Sequence, residues 1–201
     1  MIDLNNSGFH IILASQSPRR QFLLKEVGLN FEVIVKPTDE YHPLHLQGEE
    51  IALFVSRHKA MQIDFSELPA NALVITADTT VWLNGEVINK PADLNDAKAM
   101  LRKLSGNKHM VSTGVCFRTA REFHSFYVNT DVWFRELADE EIEYYVNEYK
   151  PLDKAGAYGV QEWIGYVGVE RIEGSYFNVM GLPVQRLYVE LKKFIESHSQ
   201  L

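Results

Sequence analysis

The sequence has little of several features that would each indicate a particular class of protein. It contains one cysteine, Cys116, so an intrachain disulfide is excluded, and its place between Val115 and Phe117 predicts a core residue. No run of about 18 apolar residues is present, and no basic segment precedes a long apolar stretch at the start of the chain. The seven histidines are scattered without the spacing of a zinc site. We therefore expect a soluble, cytoplasmic protein with no membrane partner.

Basic residues are also scarce relative to acidic ones. The chain has 20 lysines and arginines against 27 aspartates and glutamates, which gives a net charge of -7. Such a surface cannot hold a long polyanion through counterion release, so a nucleic-acid polymer is not an expected partner. A small phosphorylated ligand remains compatible with the composition, because it needs only a local basic pocket.

The apolar content and its pattern predict one folded domain over residues 1–201. Hydrophobic residues make up 46% of the chain, enough for a full core. Strand-like and helix-like segments alternate, Asn84-Gly85 predicts a hairpin turn, and two β-rich segments, 109–119 and 123–134, predict neighbouring antiparallel strands. The fold class expected from this order is α/β with a mixed sheet.

The stretch LASQSPRR, residues 13–20, carries polar side chains at a strand-to-helix turn. Ser17 is placed to cap the helix, with Pro18 at its first position and Gly28 beyond its end. The N-terminus of a helix favours anions and disfavours cations, so Arg19 and Arg20 in the first turn indicate a phosphate site together with Ser15. The alternative is that Ser17 only caps and both arginines are solvated.

The segment ALVITADTT, residues 72–80, predicts a buried strand with Asp78 and Thr79 at its C-terminal end. Ligands of open α/β sheets bind at that edge. Asp39 and Glu40 follow another strand, and carboxylates that meet there could hold Mg²⁺ with substrate phosphates. The alternative for Asp78 alone is a turn or cap residue.

Two lysines are further candidates for binding an anion. Lys59 falls in line with Ile51 and Val55 on the apolar stripe of a predicted helix, so it either extends outward to solvent or meets an anion inside. Lys90 follows the predicted hairpin directly, and its alternative is a surface loop lysine. Tyr144, Tyr145 and Tyr149 stand at helical spacing and indicate packing or an interface.

Several of these segments together resemble a known family. LASQSPRR, ADTTVWLNGEVINKP, the helix ending in MLRKLSG before HMVSTGV, then DKAGAYGVQ and GSYFNVMGLP are similar to the Maf proteins, which are septum-formation-associated nucleotide pyrophosphatases. The resemblance covers nearly the whole chain. DKAGAYGVQ is similar to the branch that hydrolyses dTTP and UTP rather than the branch acting on 7-methyl-GTP.

The resemblance implies a fold, a reaction and a set of site residues. The fold is a mixed, partly antiparallel, elongated sheet flanked by helices, as in ITPase-like proteins, with two lobes around a central cleft. The reaction converts a nucleoside triphosphate and water to the monophosphate and pyrophosphate, with a divalent metal (Mg²⁺ or Mn²⁺) and a possible homodimer. The family's motif positions correspond to Asp78 as proton acceptor, to Arg19, Thr79 and Gln161 as residues that tune substrate choice, and to Ser15, Glu40, Lys59 and Lys90 in the cleft.

The residue types fit this chemistry. An ordinary aspartate, with a pKa of about 3.9, is a weak base at neutral pH, so we expect Asp78, with Glu40, to bind metal and orient the attacking water. The Gln161 amide can pair with the N3–H and a carbonyl of uracil or thymine, but a flipped amide would suit cytosine. Two alternatives remain: a nucleotide-binding regulator of cell division with weak hydrolysis, and a purine-directed pyrophosphatase.

Overall fold

The computed structural model describes residues 4–38 and 41–198. Within these ranges the strands are β1 His10–Ala14, β2 Glu32–Ile34, β3 Ala72–Leu83, β4 Glu86–Ile88, β5 Lys108–Arg118, β6 Phe123–Phe134 and β7 Val169–Glu173. All seven belong to one sheet in the order β2-β1-β3-β5-β6-β7, and β4 pairs with β3 beside this path. The predicted mixed, elongated sheet is confirmed.

The sheet has a parallel side and an antiparallel side that meet at β3. β1 pairs in parallel with both β2 and β3, whereas β3, β5, β6 and β7 pair antiparallel in succession. The two predicted β-rich neighbours are β5 and β6. The predicted hairpin joins β3 to β4, and Asn84 and Gly85 both have positive φ, as a tight two-residue turn between twisted strands requires.

Helices cover both faces of the sheet. In the described residues they are α1 Pro18–Glu26, α2 Glu49–Met61, α3 Leu94–Leu104, α4 Asp139–Tyr149, α5 Trp163–Gly168, α6 Tyr176–Met180 and α7 Val184–His198. Helix α1 begins as predicted, because the Ser17 side chain accepts from the Arg20 N–H and Pro18 takes the first position. None of these helices is long and apolar enough to cross a membrane.

Side-chain alternation along β3 places α1 and α2 on opposite faces. Thr76 donates to the Ser56 carbonyl of α2 at 2.7 Å, whereas Thr79 contacts Arg20 of α1. The core divides in the same way, with a small cluster on the α2 face (Ile12, Ile63, Ala72 and Val74) and a large one on the other. The chain passes from β1 to α1 on one face of the sheet and from β2 to α2 on the other face. These two connections leave a crevice at the carboxyl end of β1, and open α/β sheets bind ligands in such crevices.

Three details differ from the sequence-based expectation. β3 does not end at Asp78 but runs to Leu83, because Val81 and Leu83 continue its buried alternation and pair with β5 or β4. The segment GSYFNVMGLP contains the short helix α6 between Gly174 and Gly181, which have positive φ. Strand β7 was not expected from the sequence pattern.

Candidate active site

A gap in the pairing of β3 forms the floor of a cavity of about 530 Å³. On the side opposite β5, β3 pairs with β1 as far as Ile75 and with β4 from Val81 onward. Among the described residues, 76–80 have no strand partner on that side, and they include Asp78 and Thr79. Both residues therefore line the cavity from the middle of a strand, beside the end of β1, rather than from the end of their own strand.

The first turn of α1 forms one wall of the cavity. The Ser15 hydroxyl accepts from the Ser17 N–H at 3.2 Å, which shapes the turn between β1 and the helix. Arg20 donates to the Gly181 carbonyl at 2.8 Å and to the Thr79 hydroxyl at 3.1 Å. Both arginines of the first turn are thus aimed across the cleft, because Arg19 donates to Asp153 at 2.8 Å.

Lys59 and Asp78 form an ion pair on the opposite face of β3. The Lys59 Nζ lies 2.7 Å from Asp78 Oδ1, and the two side chains are 14% and 11% exposed. Lysine on the apolar stripe of α2 therefore points inward to a carboxylate instead of extending to solvent. The pair presents one cation and one anion to the cavity side by side, where they can contact phosphate oxygens and a water molecule.

Gly114 determines how closely α2 approaches this pair. It lies opposite Asp78 in the β3–β5 register, on the face that α2 covers. A Cβ at Gly114 would lie 2.3 Å from the Ala52 carbonyl oxygen and 2.6 Å from the Leu53 nitrogen. The helix backbone therefore rests directly on β5, and this contact holds Lys59 within hydrogen-bond distance of Asp78.

The segment 153–161 forms the remaining wall. Asp153 accepts from both Arg19 and Lys154; although burial raises its pKa, these two hydrogen bonds outweigh it and hold the pKa at about 2. Gln161 lies at the far end of the segment, and its Oε1 is buried without a hydrogen-bond partner among the described residues. A buried acceptor without a donor is costly, so this oxygen marks a place where a ligand can donate.

The cavity is basic although the protein is acidic. Among the described residues, two acidic side chains, Asp78 and Asp153, line it beside six basic ones: Arg19, Arg20, Lys36, Lys59, Lys90 and Lys154. The lining thus carries a net charge of about +4 in a chain of net charge -7. This is the local basic pocket that a small polyanion needs.

Comparison with known proteins identifies the family. The family model described as "Maf-like protein" matches residues 10–194. This chain belongs to the Maf family. Proteins named "dTTP/UTP pyrophosphatase" from Phocaeicola vulgatus and Bacteroides fragilis are 54% and 53% identical to it over 94% of this chain and 98% of theirs. A protein of the same name from Porphyromonas gingivalis is 46% identical over 98% of this chain and all of its own.

The Maf cavity brings together nearly all the residues that the sequence predicted for a site. Eight of them line it: Ser15, Arg19, Arg20, Lys59, Asp78, Thr79, Lys90 and Gln161. Asp39 and Glu40 lie outside the described residues. These residues come from both N-terminal and C-terminal segments of the chain, so the predicted motifs meet at one cavity.

Sequence reasoning missed several residues of the Maf cavity. Lys36, Asp153, Lys154 and Tyr158 also line it. Lys36 gave a weak signal, since it follows a segment that was already expected near the ligand. Asp153 and Lys154 belong to the DKAGAYGVQ motif, but their pairing with Arg19 depends on contacts 134 residues apart and could not be read from spacing.

The Maf site fits a metal that the substrate helps to hold. Among the described residues, no three His, Cys, Asp or Glu side chains come together as a metal group. Mg²⁺ commonly takes one or two carboxylates and completes its shell with water and substrate phosphates. Asp78, a carboxylate that faces a basic cavity, suits that mode of binding.

Proposed function

We propose that this chain hydrolyses dTTP and UTP to the nucleoside monophosphate and pyrophosphate. The observation that carries the proposal is a single cavity lined both by cations with a carboxylate and by Gln161, whose side-chain oxygen has no hydrogen-bond partner among the described residues. The first arrangement suits a triphosphate and the second suits a base that donates a ring N–H. The names of the relatives support the same reaction and the same two substrates.

The triphosphate lies among the basic side chains of the cavity. Phosphoanhydride hydrolysis depends mainly on positioning and on neutralising the charge of the phosphate oxygens. Arg19 and Lys90 approach from different segments, and the N-terminus of α1 adds its partial positive charge. These contacts hold the anhydride and stabilise the negative charge of the leaving group as it develops.

Asp78 and Lys59 act where the bond is broken. Water forms a new bond to one phosphorus of the anhydride, the bridging P–O bond breaks, and the water loses a proton. The Asp78 carboxylate orients this water and accepts its hydrogen bond, and Lys59, 2.7 Å away, fixes the carboxylate and contacts the phosphate oxygens. Asp78 and the substrate phosphates, with Glu40 as expected from the sequence, would hold Mg²⁺ or Mn²⁺, which would neutralise charge and make water more acidic.

The base is selected at Gln161. Uracil and thymine present an N3–H donor beside a carbonyl acceptor, so the buried Oε1 can accept from N3–H while the amide nitrogen donates to the carbonyl. Cytosine presents the reverse order of donor and acceptor. The preference for dTTP and UTP therefore requires that the amide keep one orientation.

The first experiment is pyrophosphate release from all common nucleoside triphosphates, with Mg²⁺ and with Mn²⁺. We expect turnover of dTTP and UTP, and a loss of at least about 100-fold in kcat for Asp78→Asn. Asp139→Asn, an isosteric change of an exposed aspartate paired with Arg102, is the matched control and should keep wild-type rates. Nucleotide binding without turnover would favour the regulator instead, and turnover of purine nucleotides alone would overturn the base assignment.

The metal assignment is tested by binding rather than by activity. We expect the affinity for Mn²⁺, measured by titration in the presence of a non-hydrolysable nucleotide, to fall in Asp78→Asn. Undiminished affinity would remove Asp78 from the metal site and leave it only the role of orienting water.

A further inference from the structure

Tyr145 of α4 is buried in the core, but its hydroxyl takes part in two specific hydrogen bonds near the base end of the cavity. It donates to Glu162 Oε2 and accepts from the Gly159 N–H at 3.0 Å. Burial raises the pKa of Tyr145, and the hydrogen bond to Glu162 raises it further, so the hydroxyl keeps the proton that it donates. Packing alone does not require the hydroxyl, since a phenylalanine ring would fill the same space.

These two bonds fix both ends of the turn formed by residues 159–162, which carries Gln161. The Glu162 N–H closes the turn by donating to the Gly159 carbonyl at 3.0 Å. Because one hydroxyl contacts Gly159 and Glu162 at once, the turn cannot rotate relative to α4 without breaking a buried hydrogen bond.

Gly159 also supplies the surface against which the Gln161 amide lies. A Cβ at Gly159 would stand 2.9 Å from Gln161 Nε2 and 2.7 Å from the Glu162 carboxyl carbon. The amide nitrogen therefore packs over the bare Cα of Gly159, while Oε1 is buried without a partner among the described residues. Gly159, whose N–H donates to the Tyr145 hydroxyl, therefore borders one side of the Gln161 amide.

We propose that Tyr145 is a specificity-positioning residue, whose hydroxyl holds the 159–162 turn so that Gln161 presents its oxygen to a base with a ring N–H donor. The inference rests on the proposed function, since it concerns how the same site distinguishes uracil and thymine from cytosine. Tyr145 touches no substrate and acts only through Gly159, Glu162 and Gln161.

The test is the ratio of kcat/KM for UTP to kcat/KM for CTP in the wild type and in Tyr145→Phe. We expect the ratio to fall about tenfold, because Tyr145→Phe removes one buried hydrogen-bond network. The fall should come mainly from a higher KM for UTP. The kcat for UTP should stay within about twofold, because Tyr145 reaches the basic lining only indirectly, through the Glu162 carboxylate that pairs with Lys154 at 3.1 Å. Tyr149→Phe, in a half-exposed ring that stacks on Tyr145 at 5.0 Å, is the control and should leave the ratio unchanged.

A double variant separates this role from a general structural one. If Tyr145 acts through Gln161, then Tyr145→Phe in a Gln161→Ala background changes the ratio no further. Should Tyr145→Phe fail to fold, Glu162→Ala removes the second contact of the same hydroxyl and also the ion pair of Glu162 with Lys154 at 3.1 Å. Its ratio is therefore compared with that of Lys154→Ala, and only a larger fall in Glu162→Ala supports the inference.

Two results would overturn the inference. One is an unchanged ratio in Tyr145→Phe while Gln161→Ala alters it, and the other is an equal loss of kcat for UTP and CTP, which a merely structural role predicts. If the wild type turns over neither nucleotide, the proposed function itself fails, an outcome that the wild type alone reveals.

Discussion

Gly114→Ala tests whether close packing of α2 on the sheet sets the geometry of the active site. The new Cβ would lie 2.3 Å from the Ala52 carbonyl oxygen, whereas an ordinary contact begins at 3.4 Å, so the helix backbone must retreat by about 1 Å. Lys59 lies two turns further along the same helix, and its 2.7 Å bond to Asp78 cannot survive such a shift unchanged. Forced overpacking of this kind costs about 1–3 kcal/mol of stability.

The catalytic effect should be comparable in free energy to the effect on folding. A misplacement of about 1 Å commonly costs about 100-fold in rate, or about 2.7 kcal/mol of transition-state stabilisation. The assay is kcat/KM for dTTP by pyrophosphate release, with thermal denaturation measured in parallel. Gly168→Ala is the matched control, since its Cβ would meet the end of the Leu137 side chain at 3.0 Å and Ile164 at 3.8 Å, and neither of these residues lines the cavity. A folded Gly114→Ala protein with wild-type kcat/KM would refute the reasoning.

Three further predictions concern buried groups. Burial lowers the pKa of His109 to about 4, and the nearby Asp131 opposes this shift. Between pH 4 and 6.5 the unfolded chain therefore binds a proton that the folded chain does not. The free energy of unfolding should fall by on the order of 3 kcal/mol as the pH drops across this window. Urea denaturation at several pH values should show a flatter profile in His109→Gln, and identical slopes would contradict the assignment. Burial raises the pKa of the Cys116 thiol to about 12, so iodoacetamide at pH 8 should label it only in denaturant, and rapid labelling of native protein would show that the thiol is accessible. Gln161→Ala should raise KM for UTP and dTTP and weaken the preference over CTP; an unchanged substrate profile would exclude Gln161 from base selection.

The helix caps and the hairpin were predictable because each depends on neighbouring residues. Ser17 and Pro18 determine the start of α1, and Asn84-Gly85 determines the turn after β3. These signals act within a few residues and need no knowledge of the rest of the fold. Cys116 was likewise expected in the core, and it is fully buried.

The arrangement around Asp78 was not predictable, because it depends on where other strands stop. Nothing in residues 72–83 indicates that the pairing of β3 with β1 stops at Ile75 or that its pairing with β4 begins at Val81. The alternatives for Lys59 stayed open for the same reason, since only the packing of α2 on Gly114 brings it to a carboxylate. For Tyr145 the sequence predicts packing or an interface, because its hydrogen-bond partners, Gly159 and Glu162, lie 14 and 17 residues further along the chain.

The unpaired stretch of β3 at residues 76–80 gives ligand binding a signature in hydrogen–deuterium exchange. Amides of this stretch that point away from β5 lack the strand partner that slows exchange elsewhere in the strand. A nucleotide seated over them would exclude water and supply acceptor oxygens. Occupancy can therefore be followed as slowed deuterium uptake in one short peptide at the centre of the sheet, without a label and without turnover.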